Sequence, residues 1–287
     1  MQKLKFMLVL VTAAALPMAV SLAYLVYWAQ GRQVVVADGT EGLPGSQTSG
    51  VASHPPLDQV DHSVWDRLLK KYVDQNGMVN YAAWKASEAD RTALKQYLAV
   101  LSQADTEART SREGMLAFWI NAYNALTVYG ILGVYPTSSI RNHTSKLFGY
   151  NIWEDLLLPV GGKKYSLNDI EHNILRKLGE PRIHFAIVCA SIGCPRLRNE
   201  AYTPAKLEEQ LADNTRDFFS RRKNLQVDAA ARAIRVSSIL KWFGSDFGPT
   251  PQAALASLLD YMPPDTKQVI SSGNFSVSYL DYDWSLN

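Results

Sequence analysis

The chain has 287 residues, 47% hydrophobic and 20% charged, enough apolar material for a sizeable core and too much for a disordered chain. Its 29 basic and 27 acidic residues nearly balance, which argues against a nucleic-acid partner, since such a protein carries a basic face. Two cysteines, Cys189 and Cys194, exclude a disulfide framework and a multi-cysteine metal site.

Lys3 and Lys5 precede a charge-free stretch from Phe6 to Ala29. As a helix it spans about 36 Å at ~1.5 Å per residue, enough to cross a bilayer core. Residues 1–29 therefore read as a membrane-inserting helix, either a signal anchor or a signal peptide. Ser21-Leu22-Ala23 resembles a cleavage site, whereas Tyr24, Tyr27 and Trp28 suit the aromatic belt of an uncleaved anchor. Lysines on the short side predict the N-terminus inside and the rest outside. The expectation is an envelope protein with its domain facing the periplasm, held at the inner membrane or released if the segment is cleaved. Residues 30–56, rich in Gly, Pro, Ser and Thr, read as a flexible linker, which leaves residues 57–287 as one domain.

Within that domain, Val60, Trp65, Leu68 and Leu69 predict a helix over 61–72 with Asp61 as its cap. Leu94, Tyr97, Leu98 and Leu101 predict another over 87–101. Thr110 and Glu113 form a capping-box pattern ahead of Gly114–Leu132, which is apolar nearly all round and so predicts a central buried helix. Asn121 and Asn124 lie on one face of it; buried amides must find partners or cost about 1–3 kcal/mol each. They either tie down neighbouring backbone or position a reacting group. Ser166 and Asp169 cap a further helix to Leu178, whose apolar stripe contains Glu171, while His172 points away. A carboxylate on such a face needs a partner, for which Arg141 and Arg182 are candidates.

Residues 183–189 form a short apolar run that predicts a buried strand, with His184 its polar member, Cys189 at its end and Cys194-Pro195 in the following loop. Thr203-Pro204 starts a helix to Ser220, 225–227 and 233–236 suggest a hairpin, 253–259 a helix, and 275–279 a closing strand. The pattern is α+β: a mostly helical single domain around a buried central helix and a small sheet.

Chemistry concentrates on Glu171, His184, Cys189, Cys194, Asn121 and Asn124. A thiol becomes a nucleophile when an imidazole or a helix N-terminus lowers its pKa, and the imidazole needs a carboxylate or amide to orient it. On a strand, His184 and Cys189 have opposite parity, so Cys194 on the loop is freer to meet the ring; spacing leaves the choice between the thiols open. Alternatively, an oxidising compartment bridges Cys189 to Cys194 and His184 is a satisfied core residue. His143 and His172 lack zinc-ligand spacing, and no G-x-G-x-x-G, Walker or G-x-S-x-G pattern occurs, so no metal or cofactor is expected.

Several of these stretches resemble a known family. Phe118-Trp119-Ile120-Asn121-Ala122-Tyr123-Asn124-Ala125-Leu126, Leu167-Asn168-Asp169-Ile170-Glu171-His172, Pro181-Arg182-Ile183-His184-Phe185-Ala186, Cys189 with Ser191-Ile192-Gly193-Cys194-Pro195, and Leu280-Asp281-Tyr282-Asp283-Trp284 are similar to the domain of unknown function 547. The resemblance covers most of 57–287. It implies export, as is common for bacterial members, and a cysteine at the position of Cys189; the second, at Cys194, is replaced by Ser in plant-like versions, which tilts the nucleophile toward Cys189. More loosely, a Cys–His pair beside buried Asn is similar to papain-like and transglutaminase-like thiol hydrolases.

The resulting expectation is a thiol hydrolase or acyl-transfer enzyme acting on a peptide or a small amide or thioester. Cys189 (or Cys194) attacks, His184 is the general base, Glu171 orients it, and Asn121 or Asn124 positions the ring or donates to the oxyanion. The competing expectation is a non-catalytic binding or scaffolding module with a structural Cys189–Cys194 pair.

Overall fold

The computed structural model describes residues 54–144 and 150–287; the expected membrane-inserting segment, and the linker as far as residue 53, lie outside the described residues. Three helices open the fold: α1 (Ser63–Tyr72), α2 (Tyr81–Ala86) and α3 (Glu88–Ser102). α1 buries Trp65, Leu68, Leu69 and Tyr72. The Asp61 carboxylate accepts from the Ser63 N–H at 2.8 Å, close to its expected capping role. Ser87 caps α3. The six residues of α2 are too few for a periodic pattern, so the sequence does not predict this helix; Asn80 caps it by accepting from the Ala83 N–H at 3.0 Å.

The next helix, α4 (Arg112–Val134), runs through the centre of the molecule. Its cap is Ser111 rather than Thr110: the Ser111 hydroxyl accepts from the Gly114 N–H at 3.1 Å. Every side chain from Leu116 to Val128 is buried. Among the described residues α4 is the one helix long and apolar enough to cross a membrane, yet 89% of its apolar window is enclosed by the fold, as expected for a core helix. Its amides act on backbone. Asn121 donates to the Tyr202 carbonyl at 2.8 Å and accepts from the Tyr202 N–H at 3.0 Å. Asn124 donates to the Ala186 carbonyl at 3.0 Å and accepts from the Val188 N–H at 2.9 Å.

Beyond α4 come the single turn α5 (Ile152–Asp155) and a small hairpin, β1 (Leu158–Val160) with β2 (Lys163–Tyr165), too short to read from alternation. The helix expected over 166–178 is present but wound more widely, as a π-helical stretch Asp169–Leu175 followed by a tight turn Arg176–Leu178. Its N-terminus is held reciprocally, the Ser166 hydroxyl donating to Asp169 and accepting from the Asp169 N–H.

The strand expected over 183–189 is not formed. Pro181–Phe185 is a tight 3-10 turn, and residues 186–189 continue without a strand partner. Pro181 at the first helical position, with the Glu180 side chain accepting from the Arg182 N–H, starts a helical turn. The backbone groups that a ladder would need are taken by side-chain amides: Asn214 donates to the Phe185 carbonyl, and Asn124 holds Ala186 and Val188. Val and Ile here report burial rather than extension.

After a turn at Pro204–Lys206, α6 (Leu207–Ser220) leads to the expected hairpin of β3 (Leu225–Asp228) and β4 (Ala233–Ser237). Helices α7 (Ser238–Phe243), α8 (Pro251–Ser257) and α9 (Pro264–Ser271) then carry the chain round to β5 (Ser276–Leu280), which pairs parallel to β4 in the order β3-β4-β5. The architecture is α+β and mostly helical, as the sequence predicts.

Two apolar cores result. One surrounds α4; the other lies under the three-stranded sheet and contains Phe218, Phe219, Ile234, Val236 and Leu255. The Pro181–Phe185 turn sits at their seam, with Ile183 in the first core and Phe185 in the second. Replacing Asn121 by Ala strands the two buried Tyr202 backbone groups, each worth about 1–3 kcal/mol unpaired. Urea denaturation of N121A should show a loss of about 3 kcal/mol, against about 1 kcal/mol for the exposed cap variant S111A.

Candidate functional site

At that seam the surface opens into a cleft of about 190 Å³ whose lining includes Glu171, His184, Cys189 and Cys194. Four of the six residues singled out in the sequence thus meet in one place. Asn121 and Asn124 do not line it, and both amides are occupied with backbone. The expectation that one of them positions the imidazole or serves an oxyanion is therefore corrected: Asn124 acts one step back, fixing the segment that leads into Cys189.

The two cysteines face each other across a tight loop. Ala190 adopts φ 56°, a left-handed conformation uncommon for a side-chain-bearing residue, which reverses the chain straight after Cys189. The Cys194 N–H then donates to the Ser191 carbonyl at 3.0 Å. Gly193 is required here: a Cβ would come within 2.8 Å of the Tyr282 ring. The sulfurs, both free, lie 2.9 Å apart, well beyond the disulfide length of about 2.05 Å.

Their surroundings differ. The Cys194 sulfur accepts from the Cys189 N–H at 3.1 Å and lies 3.0 Å from the Tyr282 hydroxyl. Burial raises its pKa, but hydrogen bonds from the Cys189 thiol, the Tyr282 hydroxyl and backbone N–H groups outweigh that and hold it below the ordinary thiol value. Cys189 is pushed the other way by its bond to Cys194 and by burial. Of the two, Cys194 is the sulfur that ionises more readily. Tyr282, raised by burial and by the neighbouring sulfurs, stays a neutral donor.

Among the described residues, no histidine is a hydrogen-bond partner of either sulfur, so the expected direct Cys–His pair is not formed. The 3-10 turn aims His184 elsewhere. Its Nε2 meets an Asp246 carboxylate oxygen at 2.9 Å, and its ring stacks on Phe243 with centroids 4.2 Å apart. Burial drops the His184 pKa to about 4, while the Arg176 guanidinium holds Asp246 down to about 2. The ring is therefore neutral, and with Asp246 as acceptor its proton sits on Nε2. Nδ1 is left as a lone pair directed toward Glu171, whose Oε1 lies 3.9 Å away.

Glu171 occupies the middle of the arrangement. The Tyr123 hydroxyl donates to its Oε2 at 3.4 Å; neither Arg141 nor Arg182 is its partner, since Arg182 pairs with Glu180 and Glu208. Burial pushes the Glu171 pKa up to about 7. Asp246, His184 and Glu171 thus follow one another through the imidazole, and Glu171 shares the cleft with Cys189 and Cys194.

Several of these groups come from elements that sequence reasoning did not enlist. Asp246 lies in the turn after α7, where no spacing rule ties it to residue 184. Tyr282 and Trp284 come from the C-terminal segment, which folds back over the loop: the Gly193 N–H donates to the Asp283 carbonyl and the Ile192 N–H to the Ser285 carbonyl, both at 2.8 Å. Tyr123, Tyr282 and Trp284 had a usable signal, as aromatic residues inside the family-like stretches. Trp153, Trp242, Phe243 and Trp284 wall the cleft, with Trp242 44% exposed.

The model of a family described as "Protein of unknown function, DUF547" matches residues 108–219. No curated protein and no solved structure matches the chain. The matched span contains Glu171, His184 and both cysteines; Asp246, Tyr282 and the aromatic residues 242, 243 and 284 lie beyond it.

Glu171 titrates near 4.5 when unfolded and about 7 in the fold. Between those values the folded chain holds a proton that the unfolded chain has lost, so this contribution is full below pH about 4.5 and disappears as the pH rises to about 7. At roughly 1.4 kcal/mol per unit it amounts to about 3 kcal/mol. The stability of E171Q relative to the unaltered protein should therefore climb by about that amount across this window in urea titrations; a difference that does not vary with pH would mean an ordinary carboxyl.

Proposed function

We propose that this chain, whose residues 108–219 belong to the DUF547 family, is a thiol hydrolase or acyl-transfer enzyme acting on an amide or thioester in the cell envelope. The observation that carries the reading is the Cys194 sulfur, which is held below the ordinary thiol pKa by donors from Cys189 and Tyr282 in a cleft shared with a carboxyl poised at about 7. A nucleophile and an acid–base group with displaced pKa values in one cleft are the usual material of a catalytic site.

In this reading Cys194, rather than Cys189, attacks the carbonyl carbon, because the sulfur that receives the donors is the one that ionises more readily. The carbonyl π electrons move to oxygen. As the sulfur loses its charge, the Tyr282 hydroxyl is released to the oxyanion. Glu171, protonated in about half of the molecules near neutral pH, gives its proton to the leaving amine or thiol. It then takes one from the water or acceptor that attacks the thioester on Cys194. His184 is a positioning residue: held by Asp246 and Phe243, it offers Nδ1 to the protonated carboxyl. Such a division of roles is analogous to that of papain-like hydrolases without requiring their fold. The envelope assignment rests on the lysine-flanked apolar segment at 1–29 and the linker over 30–56, which together would hold the domain at the periplasmic face of the inner membrane or release it there.

The 2.9 Å approach of the sulfurs favours one other reading, a non-catalytic binding module in which the pair is bridged. Turnover of a short-chain acyl thioester by the purified full chain, followed with iodoacetamide labelling of the same sample, separates the two. The enzyme reading expects Cys194 to label faster than a free model thiol, C194A to lose turnover at least a thousandfold, and E171Q to lose about 10²–10⁴-fold and to abolish the inflection near pH 7. Undiminished turnover in C194A, or cysteines that label only after reduction in protein that shows no turnover, would sink it.

A further inference from the structure

The acyl-transfer reading uses one sulfur as nucleophile and leaves the second as its donor, yet the fold builds both into the cleft. The Ala190 reversal, the Ser191–Cys194 turn and the C-terminal segment that bonds residues 192 and 193 together aim two free thiols at each other 2.9 Å apart. For a single nucleophile this is more than is needed. It is the geometry of two groups that exchange a bond: the sulfurs need close by less than 1 Å to reach the roughly 2.05 Å of a disulfide, and Cys189, part-exposed, opens to the same lining as the buried Cys194. The aromatic walls, Trp153, Trp242, Phe243 and Trp284, can receive the apolar parts of a disulfide-bearing peptide or small molecule.

We propose that Cys189 and Cys194 form a dithiol–disulfide couple that reduces disulfide substrates admitted to this cleft. The Cys194 thiolate attacks one sulfur of a substrate R–S–S–R, forming a Cys194–S–S–R bond as the substrate bond breaks and R–S⁻ leaves. The Cys189 thiol passes its proton to the Glu171 carboxylate. Its sulfur then attacks Cys194 Sγ, forming the Cys189–Cys194 bond and expelling the second R–S⁻, which collects the proton from Glu171. The substrate disulfide gains two electrons and the protein dithiol loses them; no further oxidant enters. Tyr282 stabilises the thiolate of the first step, and Glu171 serves the second.

This activity does not rest on the acyl-transfer reading, since it needs both sulfurs and no carbonyl substrate. The test is to mix the reduced full chain in detergent with glutathione disulfide, following released glutathione and the intact protein mass. Two equivalents of glutathione per chain and a protein lighter by two hydrogens are expected, with the first equivalent released about tenfold faster than by free cysteine at pH 7. C189S should stop at one equivalent with glutathione held on Cys194, whereas C194S should slow the first step at least tenfold. Y282F should slow it less and shift its pH profile upward, a change that a merely structural tyrosine would not produce.

A stable one-equivalent adduct on the unaltered protein, or a C194S chain that reacts at the unaltered rate, overturns the proposal. Thioester turnover measured on the same preparation keeps the two readings apart. Turnover without release of the second equivalent ends the couple alone, and two equivalents without turnover ends the acyl reading alone.

Discussion

The buried amide of Asn124 is the constraint from which the rest of the site follows. Buried in the central helix, it needs hydrogen-bond partners, and it takes the Ala186 carbonyl and the Val188 N–H. That clamp prevents residues 186–188 from entering a sheet ladder and delivers the chain to Cys189 in a fixed direction. Asn121 and Asn214 hold Tyr202 and Phe185 in the same way. Three side-chain amides thus substitute for secondary structure around an irregular segment packed between two cores.

Such a segment suits chemistry because it frees side chains from the parity of a strand. His184 and Cys189 need not alternate faces when the backbone between them is a 3-10 turn followed by a clamped irregular stretch. Ala190 in the left-handed region adds the reversal that sets two sulfurs side by side, a local strain of about 1–3 kcal/mol held by the surrounding bonds. The π-helical winding at Asp169–Leu175 is a second local irregularity, and it carries Glu171. Irregular backbone, a carboxyl raised by burial and a sulfur lowered by donors all occur within one cleft, where each accounts for part of the others' environment.

The site is also distributed along the chain. The family-matched span, residues 108–219, supplies the sulfurs, the imidazole and the central carboxyl. The segments that follow supply Asp246, which sets the tautomer of the ring, and Tyr282, one of the donors that, with Cys189, lower the pKa of the Cys194 sulfur. The C-terminal residues bond to the loop through backbone groups at 192 and 193, so Tyr282 is carried in by main-chain pairing that does not depend on the identity of the neighbouring side chains.

Residue order and type alone determined the elements whose physics is local: the central apolar helix, read from a run with no polar face; α3 and the β3–β4 hairpin, read from period and punctuation; the need of the Asn pair for partners, though not which partners; and the grouping of Glu171, His184 and the cysteines, read as polar residues in apolar company. What only the tertiary structure decided depended on partners far along the chain. The Ile183–Cys189 run reads as a strand because its composition reports burial, and burial does not specify extension; distant amides chose a turn instead. The same holds for chemistry. Spacing made His184 the partner of a thiol, but a carboxylate sixty-two residues away claimed its ring, a tyrosine eighty-eight residues away took the sulfur, and Glu171 was left between them. Hydrogen bonding is short-ranged in space and indifferent to sequence separation, so a single chain reveals which groups need partners while the fold alone assigns them.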